Sequence, residues 1–108
     1  MTTRFERLRE RFAIDPADRA TFEALEEHHF LQGEWGELVP IYERHLAATE
    51  GARSPIEGAR LLYRMGHALD EAGIDRERAE QCYRRALEID ARFAPALRRL
   101  RARCAANG

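Results

Sequence analysis

The chain matches itself. Displaced by 40 or 41 positions along its 108 residues, Phe22 falls on Leu62, Leu25 on Met65, Gly33 on Gly73, Leu38 on Ala79 and Tyr42 on Tyr83. Chance aligns two leucines easily, but not two turn glycines and two tyrosines at one spacing, so the sequence holds a duplicated unit. The strings GEWGELVPIYERHL and GIDRERAEQCYRRAL share one order: a glycine, a charged turn, then an aromatic before a cation and an aliphatic. A short tandem unit cannot bury its own apolar side, so a chain of this kind makes its core by stacking one unit on the next.

The period within each unit is helical. Phe5, Leu8 and Phe12 recur at three and four residues. Asp15-Pro16 ends that first helix, because the residue before a proline is pushed out of the helical region. The same pair is expected to open the second helix, with Asp15 as N-cap and Pro16 at the first helical position. Phe22, Leu25 and His29, with Phe30 beside them, form its inward stripe up to Gly33. A third helix from Trp35 presents Leu38, Ile41, Tyr42 and Leu46, with Pro40 placed near its first turn. Gly51, Pro55 and Gly58 bracket a loop, and Ser54-Pro55 with Glu57 reads as the next helix start. The fourth helix carries Leu62, Met65, Gly66 and Leu69 to Gly73. The fifth, capped by Asp75, sets Ala79, Tyr83, Ala86, Leu87 and Ile89 on one side, and the last runs from Pro95 through Leu97, Leu100 and Cys104. About six helices and no strand predict an all-α fold.

These residues resemble the tetratricopeptide repeat. That family's pattern is an aromatic, Leu-Gly, a tyrosine, then alanine, an aromatic and a closing proline. Here Leu62, Met65-Gly66 and Leu69 are followed by Ala79, Tyr83 and Ala86, with Ala91 at the closing position. The first copy reads Phe22, Leu25-Glu26 and His29, then Leu38, Tyr42 and His45. Glu26 and His45 there replace small residues. Leu8 precedes Tyr42 by 34 residues, the family's own period, and Leu97 and Leu100 follow Leu62 and Met65 by 35. The resemblance implies antiparallel helix hairpins stacked as a short right-handed α-solenoid in a single domain. Its parts are a half-unit helix at 1–16, a first repeat at 17–50, a second at 55–91 and a capping helix at 92–106.

Charge and chemistry narrow the function. The net charge is −1, which argues against a dedicated nucleic-acid binder. The distribution is lopsided: residues 19–50 hold seven glutamates against two arginines, and residues 92–108 hold five arginines and no acid. All eighteen cations are arginine. No apolar run reaches membrane-spanning length, and MTTRFERLRERF lacks the apolar core of a secretory leader. Cys82 and Cys104 have neither disulfide-framework nor zinc-finger spacing, so a reducing, cytoplasmic setting is expected. Cys104 is expected as a partly covered residue of the cap. His28-His29 beside Glu26-Glu27 is the nearest approach to a metal cluster. Adjacent helical residues point about 100° apart, so only one imidazole is expected to face a given site and no metal is expected. His45 and His67 lack a nucleophile or carboxylate partner at a defensible spacing, and neither a phosphate cradle nor a nucleophile elbow is present. No cofactor and no catalysis are expected.

What the resemblance implies is binding. In such arrays the first helix of each unit lines a concave groove that receives a peptide or helix of another protein. Carried onto this sequence, the groove residues are Ala20, Glu23 and Glu27, then Arg60, Tyr63, His67 and Asp70, then Arg98, with Tyr63 as the aromatic anchor. The family's lysine/asparagine clamp for a C-terminal carboxylate is absent, which disfavours a chaperone-tail receptor. Two other readings stay open at this point. One is a subunit that self-associates through its oppositely charged ends. The other is a nucleic-acid accessory that uses the arginine-rich last helix, whose missing aromatics disfavour it.

Overall fold

The computed structural model describes residues 2–107. Within them the chain forms six helices: α1 (Arg4–Ile14), α2 (Arg19–Gln32), α3 (Trp35–Ala48), α4 (Pro55–Ala72), α5 (Arg76–Ile89) and α6 (Ala94–Asn107). No strand occurs among the described residues. Each helix packs on the one before and the one after it. The body measures 54 × 29 × 17 Å, with a Cα radius of gyration of 14.6 Å. A compact domain of this length has a radius of about 13 Å. The excess fits an open stack of helix pairs, as the self-match predicts, and not a closed bundle.

The helix boundaries follow from local chemistry. Gly33 and Gly73 close α2 and α4 with φ of 69° and 66°, a left-handed conformation that side-chain-bearing residues adopt at a cost. Ser54 Oγ accepts from the Glu57 amide at 3.3 Å and Asp75 Oδ1 from the Arg78 amide at 3.0 Å, so both expected N-caps are in place. Asp15 is different. It ends α1, and its carboxylate accepts from the Ala17 amide at 3.2 Å, while Asp18 caps α2 by accepting from the Thr21 amide and hydroxyl. Pro16 therefore sits in a turn, not in the first turn of α2. The same turn recurs 75 residues on: Asp90 Oδ1 accepts from the Arg92 amide at 3.1 Å, and Ala91 takes the place of Pro16. Pro40 lies deeper in α3 than expected, at its sixth residue, on an exposed face. The carbonyl four residues back belongs to Gly36, which is also exposed.

The core runs along the stack through Phe12, Phe22, Leu25, Leu38, Val39, Tyr42, Leu62, Met65, Leu69, Ala79, Tyr83, Ala86 and Ala96. Its tightest point joins α4 to α5. A β-carbon on Gly66 would lie 2.7 Å from the ring of Tyr83, which is fully buried. Only hydrogen fits there. The matching position in the first pair is Glu26, and it solves the same problem differently. Its carboxylate accepts from the Tyr42 hydroxyl at 2.6 Å and from Arg64 of α4 at 3.3 Å, which ties α2, α3 and α4 together. His45, the other departure from the family pattern, is buried. It stacks on Phe22 with ring centroids 3.9 Å apart, and its Nδ1–H donates to the Pro16 carbonyl at 2.7 Å. Both substitutions are built into the packing.

Three expectations about burial fail. Phe30 is 53% exposed and Ile89 40% exposed, so neither belongs to its inward stripe. Cys104 is exposed, while Cys82 is buried. The expected outcome of Gly66→Ala follows from the tight contact. Overpacking a buried ring costs about 1–3 kcal/mol, and alanine's better helix propensity recovers about 1 kcal/mol. Urea unfolding should show a lower midpoint at unchanged slope, a net loss of up to about 2 kcal/mol.

Candidate functional site

Two clefts open where α2 faces α4. The one nearer the Gly33 turn, about 300 Å3, has Phe30, Leu31 and Glu27 of α2 on one wall. Tyr63, Arg64, His67 and Ala68 of α4 form the other wall, and Trp35, Leu38 and Tyr42 of α3 form the floor. Phe30 meets Trp35 edge to face at 5.2 Å, and Trp35 meets His67 in the same way at 5.5 Å. This continuous aromatic run is apolar and partly open: Leu31 is 73% exposed. The second cleft, about 350 Å3, lies at the opposite end of the same interface. It is rimmed by Arg19, Glu23, Glu57, Arg60 and Arg64, with His45 and Phe22 at its base.

The expected groove residues are divided between these places. Glu27, Tyr63 and His67 share the aromatic cleft, whereas Glu23 and Arg60 border the charged one. Ala20 is exposed beside α1 and lines neither. Asp70 is engaged inside the fold: it accepts from the Tyr83 hydroxyl at 2.6 Å and from Arg103 of α6 at 2.7 Å. Arg98 is exposed on α6 and lines neither cleft. The arginine that reaches this interface is Arg99, which donates to His67 Nδ1 at 3.1 Å. A guanidinium has only donors, so Nδ1 is an acceptor and the neutral ring carries its proton on Nε2. Tyr63 is held between Tyr83 and Phe93, with centroids 5.7 and 5.8 Å away.

Sequence reasoning passed over Phe30, Leu31, Trp35 and Arg64 as site residues. A signal was present: Phe30 and Leu31 are apolar residues of α2 beyond those its inward stripe needs. The charge asymmetry of the sequence is also less free than it reads. Glu23 pairs with Arg19, Glu26 with Arg64 and Glu43 with Arg78. Arg99 and Arg103 of the basic helix are turned toward α4 and α5. Burial pushes the Cys82 thiol up, so it is held as a packing group.

Residues 21–56 match the family model of the tetratricopeptide repeat. That span covers α2 from Thr21 onward, all of α3 and the first two residues of α4, the pair that contains Glu26 and His45. No curated protein matches the chain. No helix among the described residues is long and apolar enough to cross a membrane.

Burial, and then the hydrogen bonds to Glu26 and Asp70, raise the hydroxyls of Tyr42 and Tyr83 above the ordinary tyrosine range. Both phenols stay protonated in the fold at a pH where the unfolded chain ionises, near 10. Their contribution is whole below that pH and is lost as pH rises toward the folded values. Stability measured by denaturant should therefore fall steadily above about pH 10. Tyr42→Phe and Tyr83→Phe should each flatten that fall.

Proposed function

We propose that this chain, which carries a tetratricopeptide repeat, is a non-catalytic module that captures an apolar segment of another protein in its aromatic cleft. Repeats of this kind are generally protein-interaction units, and stacked helix pairs offer extended concave surfaces. In this reading α1 serves as the second helix of a leading half unit, two helix pairs follow, and α6 caps the stack. The observation that carries the proposal is the exposure of Phe30 and Leu31 on the wall of a cleft whose floor is Trp35. Exposed apolar groups gathered in a concavity mark binding surfaces, whereas scattered ones do not.

The cleft's size and lining fix the kind of segment. About 300 Å3 takes one or two large side chains presented by a peptide or a helix. Phe30, Tyr63 and Trp35 supply the contact area, at low entropic cost because aromatic side chains have few rotatable bonds. Glu27 is exposed on the rim and attracts a cation that flanks the apolar anchor. Binding is reversible and calls for no bond to be made or broken.

The test uses peptides selected from a random library on the immobilised protein, then titrated in solution. Trp35 is the chain's one tryptophan and lies in the cleft, so its emission reports occupancy. Tyr63→Ala and Phe30→Ala should each weaken binding by about thirtyfold, the effect of losing a central aromatic contact. Arg98→Ala should leave it unchanged, and all three variants should keep the helical circular dichroism. Unaltered binding in both aromatic variants, with loss in Arg60→Glu, would move the site to the charged cleft and overturn the proposal.

A further inference from the structure

The turn between α2 and α3 gathers a side-chain cluster that the cleft does not use. His28, His29 and Glu34 each offer a ligand atom, and these atoms lie within 4.8 Å of one another. The angular divergence of neighbouring helical residues had set the two imidazoles apart, yet the rings lie 5.2 Å from centre to centre at 82°. Phe5 of α1 is the cause. It stacks on His28 at 4.2 Å and meets His29 edge-on at 5.4 Å, so one aromatic ring holds both imidazoles on one side of α2.

The third group is fixed by the backbone. Gly33 turns the chain into the left-handed conformation, and the Glu34 amide then donates to the His29 carbonyl at 2.9 Å. This closure brings Glu34 Oε1 to 3.3 Å from His29 Nδ1. Zinc–nitrogen and zinc–oxygen bonds of about 2.0–2.2 Å at a tetrahedral angle separate two ligand atoms by roughly 3.3–3.5 Å. One edge of a zinc tetrahedron is thus already present in the spacing of these two atoms. His28, half-buried beside them, offers a third ligand atom within 4.8 Å of the other two. Glu34 stands at the N-cap of α3 without making a side-chain capping bond, and its hydrogen bond to His29 is the contact that the ion replaces.

We infer that His28, His29 and Glu34 form a zinc-binding site with two imidazoles, one carboxylate and a fourth position open to water. Two imidazole nitrogens select a late first-row divalent cation over magnesium or calcium, which prefer oxygen ligands. With zinc on Nδ1, the His29 ring keeps its proton on Nε2. The bound ion links the end of α2 to the start of α3, next to α1.

The experiment titrates the untagged, metal-free protein with zinc alone against a chromophoric chelator. One equivalent should bind, and His28→Ala and Glu34→Gln should each weaken it at least about tenfold, since even outer-shell changes cost 10–100-fold. Cys104→Ser and His67→Ala, which alter the other accessible donors, should leave the affinity unchanged. Cobalt should give the intense visible bands of four-coordinate geometry in the parent and lose them in His28→Ala. Both ligand variants lie outside the fully buried core, and unchanged circular dichroism verifies their folding. Absence of stoichiometric binding overturns the inference, and so does an affinity that neither ligand variant moves.

Discussion

Helix α4 has to bury two sides at once. It packs against α3 on one side and α5 on the other, and Ala59, Leu61, Leu62, Met65, Gly66, Ala68 and Leu69 are all buried along it. Burial of side chains the size of Leu62, Met65 and Leu69 contributes about 1.5–3 kcal/mol each, and the share buried against α3 is not available to either helix pair alone. The fold is therefore a property of the stack, and the clefts that face α2 exist only because α4 is placed there. Structure and site share one dependency.

The position shared by Glu26 and Gly66 shows how the two pairs came to differ without losing the architecture. At Gly66 the absence of a side chain lets α5 bring the Tyr83 ring close against α4, and the phenol reaches Asp70 farther along. At Glu26 the carboxylate itself receives the phenol of Tyr42, and the surplus negative charge recruits Arg64 across the junction. One solution is steric and the other electrostatic. The electrostatic one also shapes the neighbouring surface, because Arg64 and Tyr42 are thereby fixed in the lining of the aromatic cleft. Asp70 shows the reverse: a residue in register with groove positions is drawn into holding Tyr83 and Arg103.

The helices and their order were legible because they rest on short-range signals, and the stacking because the sequence matches itself at 40–41 residues. Turn glycines, N-cap residues and a three-to-four spacing act locally, and Ser54, Asp75, Gly33 and Gly73 behave accordingly. Asp15-Pro16 misled because either side of a proline turn can cap a helix, and Asp18 three residues on made the better cap with Thr21. The site was half legible. Glu27, Tyr63 and His67 fall in one cleft because a helix face is periodic, but Glu23 and Arg60 fall in another and Asp70 in none. Those differences arise from which partner each long side chain finds across an interface, as with Arg99 reaching His67 while its neighbour Arg98 stays outside. Phe5 converging His28 and His29 is of the same kind: a contact between residues more than twenty apart that no local pattern encodes.

The junction between the two helix pairs is therefore the contact on which the whole stack depends. It is marked by the Trp35 indole lying edge-on to the His67 imidazole, with ring centroids 5.5 Å apart and no other tryptophan to confuse the signal. Nuclear Overhauser spectroscopy on the full chain measures that proximity directly. Cross-peaks are expected from the Trp35 indole protons to the His67 ring and also to Phe30. Trp35 cross-peaks confined to α2 and α3, with none to α4, would mean that the pairs do not stack as described.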